Sequence, residues 1–567
     1  MPFSEFRDEW SGLTLSAALE RAAQRWGPDR EAYVFGGTRL TFGQVQADAA
    51  RVQQALKDAG VGPGDRVAVV MTGVAAWPGV YYGVSAAGAV VVPVNTRIPG
   101  REMAALVRRC GARAIVFHAL RRDGVAERVD AALGELVHER PVDLGSDRPA
   151  IAGLRIATFP PVPGDRRDVG DDDAVIIFTS GSSGVPKAAV LHHEGILRGG
   201  HNVNQGLDVG PDDVFFSPQP FFHAGGAIQV INAPVTTGCT VVVQETFDVD
   251  GSLQAIADHA CTITLGHQPH WVDYLAHPQV HELTGSLRGA FVIGETPIRE
   301  RIEDELGIVT VSPYGMTETH VAGTCSHAGD DRTLRTEAHG RAYPGVDLQI
   351  VEPATGQRLA AGEVGEICIG GWAVSRGYLD EDGSVSPSVD DHGLMRTGDL
   401  GRLDPDGTLF RLGRIKDIIR VGGENVGATE IERVLSASEH VRQVRVTAWP
   451  DERMGEVPVA VVAVDDAAAA GDDIRRLCSA GLARFQVPRI FVFTRQLPMG
   501  ATGKIESAGI RALVERGFDD PERTVVGEIA VGSSSVPMLV STVAMRQGSS
   551  GPGRPPAALV SPSGQTS

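Results

Sequence analysis

The stretch Phe178-Thr179-Ser180-Gly181-Ser182-Ser183-Gly184-Val185-Pro186-Lys187 is entered from the apolar run Ala174-Val175-Ile176-Ile177. Glycines let successive backbone N–H groups converge, the hydroxyls of Thr179, Ser180, Ser182 and Ser183 add donors, and Lys187 brings a point charge. Such a loop suits a polyphosphate. It is not a Walker P-loop, which needs Gly-Lys-Ser/Thr opening a helix, because Pro186 precedes this lysine and Ala188 follows it. A flexible Ser/Gly turn with a solvated lysine is the rival reading, and partners farther along the chain decide between the two.

On either side of the loop the sequence alternates strand and helix. Residues 31–42 read as a hairpin turned at Gly36-Gly37, and Thr41 with Gln44 forms a capping box for the helix that follows. Residues 67–96 carry no charge, yet Pro78 and several glycines argue for strand, helix and strand buried in a core and not for a membrane span. Strands at 114–117, 214–218, 240–243, 261–265, 290–293 and 309–312 continue the pattern of parallel sheets covered on both faces. Residues 120–171, rich in charge and proline, read as irregular surface structure, and residues 340–411 as a β-rich subdomain. Strands at 441–448 and 457–464 with helices at 429–435 and 472–483 predict a small separate domain.

A chain of 567 residues exceeds one core and has room for roughly three to four units. The net charge of −19 argues against a general grip on nucleic acid or on an anionic membrane, so any phosphate site is local. Six cysteines without a Cys-x-x-Cys pair suggest neither a disulfide framework nor a thiolate zinc site. The charged N-terminus lacks a secretory signal, and a cytoplasmic location is expected. Beyond residue 527 the Ser/Gly/Pro-rich tail is expected to be disordered.

Downstream of the loop come Phe221-Phe222-His223-Ala224-Gly225-Gly226, Tyr314-Gly315-Met316-Thr317-Glu318, Arg396-Thr397-Gly398-Asp399-Leu400, Gly413-Arg414-Ile415-Lys416-Asp417 with Gly422-Gly423-Glu424-Asn425, Glu430-Ile431-Glu432, and Gly503-Lys504. In this order they resemble the AMP-forming acyl-adenylating superfamily of acyl-CoA synthetases, adenylation domains and luciferases, over roughly residues 15–515. The resemblance implies an α/β fold: an N-terminal domain (1–412) of two α/β subdomains plus the β-rich one, a hinge (413–417), a small mobile α+β domain (418–526), and the tail 527–567.

It also implies roles. The loop Thr179, Ser180, Gly181, Ser182, Ser183, Gly184 and Lys187 would hold the β- and γ-phosphates of ATP, and Glu318 with Thr179 would hold Mg²⁺, a hard cation that takes few carboxylates beside phosphate oxygens. Tyr314, with Gly315, Met316 and Thr317, would border adenine, and Asp399 with Arg414 would take the ribose hydroxyls. Lys504 would be the mobile catalytic lysine that neutralises charge at the reacting oxygens. Phe222, His223 and Gly225 would border the acyl pocket, together with His267, Gln268 and the segment at Gly294, Glu295 and Thr296, which also reaches the nucleotide. Polar His267, Gln268 and His270 hint at an acid bearing oxygen functions, and a histidine metal cluster of His267, His270, His277 and His281 fits no common ligand spacing.

Lys416 would be the hinge, with Gly422, Gly423 and Glu424 beside the pantetheine arm of coenzyme A. Ala188, Ala428, Met499-Gly500 and Ser507 depart from the family pattern and thin the small domain's basic contacts, so adenylation is better supported than thioester formation. The leading expectation is an acyl-CoA synthetase with a carboxylic acid, ATP and coenzyme A as substrates. An enzyme that hands its acyl-AMP to a carrier protein or ligase is the alternative; a luciferase-type oxygenase and a nucleotide-binding regulator without turnover are more distant rivals. A homodimer stays open.

Overall fold

The uncharged stretch forms the strand Arg66–Val70, the helix Ala76–Ala86 and the strand Val90–Pro93. Its helix is buried because it lies against the amphipathic helix Phe42–Asp58, and two glycines permit the approach. A Cβ on Gly83 would sit 2.7 Å from Val52 Cβ, and one on Gly79 would sit 2.8 Å from Asp48 Cβ. Among the described residues no helix is long and apolar enough to cross a membrane. The computed structural model describes residues 9–118, 124–136, 142–143, 150–160, 172–179, 186–421, 424–451, 453–499, 505–520, 524–531 and 534–542. The chain divides into two compact units, Met1–Lys416 and Asp417–Ser567.

Two large sheets build the first unit. One has nine strands, with Arg66–Val70, Val90–Pro93 and Asp173–Thr179 parallel at its centre and Lys187–His192 followed by Gly377–Leu379 antiparallel beyond them. The other has seven strands, ordered from Val309–Val311 through Gly289–Ile293, Ile263–His267, Val214–Ser217 and Thr240–Val243 to the N-terminal hairpin Glu31–Phe35 and Thr38–Thr41. The hairpin therefore belongs to a sheet whose other strands begin at residue 214, with Val34 paired to Val242. A four-stranded antiparallel sheet, Val346–Val351, Gly365–Gly371, Leu394–Leu403 and Leu409–Arg414, forms the β-rich part.

Residues 120–171, expected to be irregular, contain the helix Val125–Gly134 and the strand Leu154–Thr158. Buried Val125, Val129, Ala132 and Leu133 fall at helical spacing between the charges, and Gly100 lets this helix close on Gly100–Arg109. The expectation of disorder beyond residue 527 is corrected only in its first part: Thr524–Val531 and Ser534–Ser541 pair as an antiparallel hairpin, the second strand runs parallel to Phe491–Thr494, and residues 543–567 lie outside the described residues. Alternation of buried Met538 and Val540 outweighs the Ser/Gly composition, and Met538 is fully buried in the second unit's core. That core lies on a seven-stranded sheet containing Val441–Asp451 and Gly455–Val464.

Candidate active site

Strands Asp173–Thr179 and Lys187–His192 form an antiparallel pair, so the phosphate-type loop joins a hairpin and does not open a helix. Register places Thr179 opposite Lys187 and Phe178 opposite Ala188. Ala188 points into the core, fully buried, whereas Lys187 lies on the other face. Ser180, Gly181, Ser182, Ser183 and Gly184 lie outside the described residues.

The segment Tyr314–Glu318 ends in a tight turn. Thr317–Thr319 forms a single 3₁₀ turn held by Met316 N–H donating to Thr319 Oγ1 at 2.9 Å. His320 and Val321 follow with φ of 50° and 56°, a backbone region that costs a β-branched residue of order 1–3 kcal/mol. This fold-back explains Gly315, where a Cβ would meet Val321 C at 2.5 Å. Glu318 is thereby held 9% exposed, and its Oε1 accepts from Tyr378 Oη at 2.8 Å. Tyr378 also lies under Lys187, whose Nζ is 4.6 Å from the ring centroid.

One carboxylate and one hydroxyl, Glu318 and Thr179, suit a Mg²⁺ ion that brings the rest of its oxygen shell with phosphate and water. Among the described residues there is no group of three or more His, Cys, Asp or Glu able to hold a metal, so the histidine cluster is not assembled there.

Asp399 owes its position to a bulge. Between the pairs Cys368–Arg396 and Glu366–Leu400 the strand Leu394–Leu403 carries extra residues, with Gly398 at φ 72°. Thr397 Oγ1 donates to Ile367 O at 2.7 Å, and Gly398 N–H donates to Glu366 Oε1 at 3.0 Å, which fixes the bulge. Asp399 pairs in register with Arg414, Arg414 Nε lies 2.8 Å from Oδ1, and Tyr314 Oη donates to Oδ2 at 2.9 Å. Oδ1 lies close to Arg414 without the alignment of a hydrogen bond, so a buried carboxylate oxygen keeps its acceptor capacity. Burial and the Asp399 charge push the Tyr314 phenol well up, which keeps it a donor.

On the acyl side, Phe222 and His223 rings lie 4.7 Å apart, and His223 N–H donates to Pro220 O at 3.1 Å. Gly225 faces Leu265 and the side-chain amide of Gln219, each 3.9 Å from where a Cβ would sit. Gln219 is 5% exposed and its Nε2 has no partner among the described residues. Gln268 Oε1 accepts from Glu295 N–H at 3.0 Å, and Gly294 packs on Gln268 and Ile298. Buried Arg299 braces this corner, donating to Gly294 O at 2.8 Å and to Ser312 Oγ at 2.9 Å, while Thr296 opens the helix Thr296–Arg301. His267 N–H contacts His270 Nδ1 at 3.4 Å, and burial lowers the His270 pKa to about 4, which keeps it neutral.

The family model for the AMP-binding enzyme matches residues 19–379, and that for the AMP-binding enzyme C-terminal domain matches residues 430–504. The chain belongs to the AMP-binding enzyme family. It is 32% identical over 522 residues to a 3-[(3aS,4S,7aS)-7a-methyl-1,5-dioxo-octahydro-1H-inden-4-yl]propanoyl:CoA ligase of Rhodococcus jostii (strain RHA1), covering 87% of this chain and 97% of that one. A feruloyl-CoA synthase of Amycolatopsis sp is 30% identical over 504 residues, covering 86% and 96%. The crystal structure of ATP-bound MatB from Rhodopseudomonas palustris superposes with a TM-score of 0.72 at 25% identity, covering 88% of this chain and 99% of that one. An amide bond synthetase from Marinactinospora thermotolerans gives 0.72 at 25% identity, covering 87% and 99%.

Within this family member the structure brings Thr179, Lys187 and Glu318 together through Tyr378, and Tyr314, Asp399 and Arg414 into direct contact. Lys504, Gly422 and Gly423 lie outside the described residues. Lys416 ends the first unit and Glu424 begins the strand Glu424–Gly427 of the second. Sequence reading missed Tyr378, Gln219 and Arg299. An aromatic directly after an Arg-Gly pair and a glutamine between two prolines are weak signals alone, and only strand pairing and burial reveal them.

Proposed function

We propose that the chain is an AMP-forming acyl-CoA synthetase acting on a carboxylic acid that carries oxygen functions. One observation carries this reading: the segment Tyr314–Glu318 ties two sets of contacts together, Arg414 and Asp399 on Tyr314 at one end and Tyr378 with Lys187 on Glu318 at the other. Ribose-accepting, metal-holding and phosphate-neutralising groups thus stand in the order in which ATP presents its parts. In the first step a carboxylate oxygen forms a bond to the α-phosphorus and the bond to the β-phosphate bridging oxygen breaks, releasing pyrophosphate. Asp399 and Arg414 fix the ribose, and Lys187 meets the charge of the departing pyrophosphate. Mg²⁺ held by Glu318 and Thr179 would supply charge neutralisation on phosphate oxygens. Lys504 would bring a second positive charge to the acyl and α-phosphate oxygens. In the second step the coenzyme A thiol, losing its proton, attacks the acyl carbon and AMP leaves.

The buried amide of Gln219 beside Gly225, with the half-buried Gln268 beside Gly294, supports an oxygen-bearing acid. A buried donor without a partner favours a ligand that supplies an acceptor over one that leaves it unpaired. The relatives' names point the same way, since the dioxo-indenylpropanoyl and feruloyl groups are oxygenated. A second reading, transfer of the acyl-AMP to a carrier protein or another nucleophile, is favoured by the likeness to an amide bond synthetase and by Met499-Gly500 and Ser507 in the second unit. Acid-dependent pyrophosphate release across a panel of hydroxylated, keto and plain hydrocarbon acids, with and without coenzyme A, tests both. Release with thioester supports the synthetase, release without thioester supports the second reading, and no release with any acid refutes both.

A further inference from the structure

Among the described residues neither Lys187 nor Glu318 forms an ion pair, although one aromatic side chain touches both. That residue is Tyr378, and strand register explains its reach. In the pairing of Gly377–Leu379 with Lys187–His192, Tyr378 stands opposite Ala189. Lys187 and Ala189 share a face of their strand, so the tyrosine lies diagonally next to the lysine, and the small Ala189 leaves room for the ring. On the opposite face Leu379 and Ala188 are both buried in the core, which prevents the strand from turning over. Gly377 (φ 143°) anchors the other side, since a Cβ there would sit 2.0 Å from Ser386 O. The same segment is stitched to both partners' backbones: Ser375 N–H donates to Glu318 O at 2.7 Å, and Arg376 N–H donates to Val190 O at 3.1 Å.

We infer that Tyr378 is a positioning residue that holds Lys187 and Glu318 side by side without letting their charges pair, and so keeps both available to the metal-bound polyphosphate. This rests on the adenylation reading above. The hydroxyl donates to Oε1 and leaves Oε2 of Glu318 for a cation, while the ring face holds the ammonium by a cation–π contact that a polyphosphate easily displaces. Without the tyrosine the lysine and the carboxylate are free to collapse onto each other, and ATP with its metal must first separate them.

The two contacts separate by substitution. Tyr378→Phe keeps the ring and loses the hydroxyl; Tyr378→Leu loses both. Calorimetric binding of ATP without added acid is measured at a series of Mg²⁺ concentrations, and Lys187 reactivity is followed by acetylation and mass spectrometry in the absence of ATP. Tyr378→Phe is expected to raise the Mg²⁺ concentration for half-maximal ATP binding about three- to tenfold, at little cost to affinity in excess Mg²⁺. It should leave Lys187 acetylation unchanged. Tyr378→Leu is expected to weaken ATP binding at every Mg²⁺ concentration about tenfold and to change the acetylation rate of Lys187 at least threefold. Equal effects of both variants on Mg²⁺ dependence and acetylation, or lowered melting temperatures with neither readout moved, would overturn the inference. If the wild type releases no pyrophosphate with any acid, the adenylation reading fails, while the acetylation contrast still decides the arrangement of Tyr378 and Lys187.

Discussion

Replacing Asp399 with Asn removes one charge and almost no volume at the position expected to grip the ribose. In the structure Oδ2 is occupied by the Tyr314 hydroxyl, whereas Oδ1 has Arg414 Nε at 2.8 Å and no hydrogen bond. A carboxylate oxygen in that state accepts both ribose hydroxyls through charge-assisted bonds. An amide turns its oxygen toward Arg414 and offers only neutral bonding, a loss of about 1 kcal/mol for each of two hydroxyls. About 2 kcal/mol corresponds to roughly a 30-fold fall in kcat/KM for ATP. The assay is pyrophosphate release at limiting ATP, repeated with 2′,3′-dideoxy-ATP. Wild type should prefer ATP by about 30-fold or more, and Asp399→Asn should lose most of that preference while melting near the wild-type temperature. A variant that discriminates between the two nucleotides as strongly as wild type would refute the assignment of Asp399 to the ribose.

Three further outcomes follow from the same geometry. Burial lowers the His193 pKa from 6.5 to about 4, and its Nδ1 accepts from Leu15 N–H at 3.2 Å. A histidine held neutral in the fold stabilises fully above the unfolded value and loses this contribution as pH falls from 6.5 toward 4. The unfolding free energy from urea titration should therefore lose about 1.5 kcal/mol from this residue between pH 6.5 and 5, and His193→Gln should make the pH slope shallower by that amount. Met538→Ala should destabilise the second unit by about 2–5 kcal/mol, seen as a lowered thermal transition, whereas a disordered tail would leave it unchanged. Lys504→Ala should slow pyrophosphate release by about 10²–10³-fold. Acyl-CoA formation from chemically prepared acyl-AMP should stay within a few-fold, and equal losses in both assays would place the lysine elsewhere.

Much of the molecule is written in local pattern. The apolar runs that alternate with amphipathic helices specify two sheets with parallel centres, and the uncharged stretch at 67–96 resolves into a buried β-α-β because its glycines let helices touch. Motif order singled out Asp399, Arg414, Tyr314, Glu318 and Lys187; in the structure Asp399 meets Arg414 and Tyr314, and Tyr378 touches both Glu318 and Lys187. What stayed illegible is what depends on register or on distant pairing. Tyr378 matters because it falls opposite Ala189, and Asp399 projects because of a bulge against residues 366–368. The first hairpin joins a strand more than 200 residues away, as the Arg30 Nε to Gly238 O hydrogen bond of 2.9 Å also records. In the tail and in residues 120–171, composition masked a period-two and a helical alternation that carry the burial.

The central claim is that a carboxylate attacks the α-phosphate of ATP, and an oxygen-18 label reads it directly. An acid that supports pyrophosphate release is supplied with both carboxylate oxygens labelled, and the products are analysed by mass spectrometry after coenzyme A is added. One labelled oxygen in AMP, equal in amount to the thioester formed, is the predicted result. Unlabelled AMP, or label in inorganic phosphate with ADP as the nucleotide product, would contradict the account.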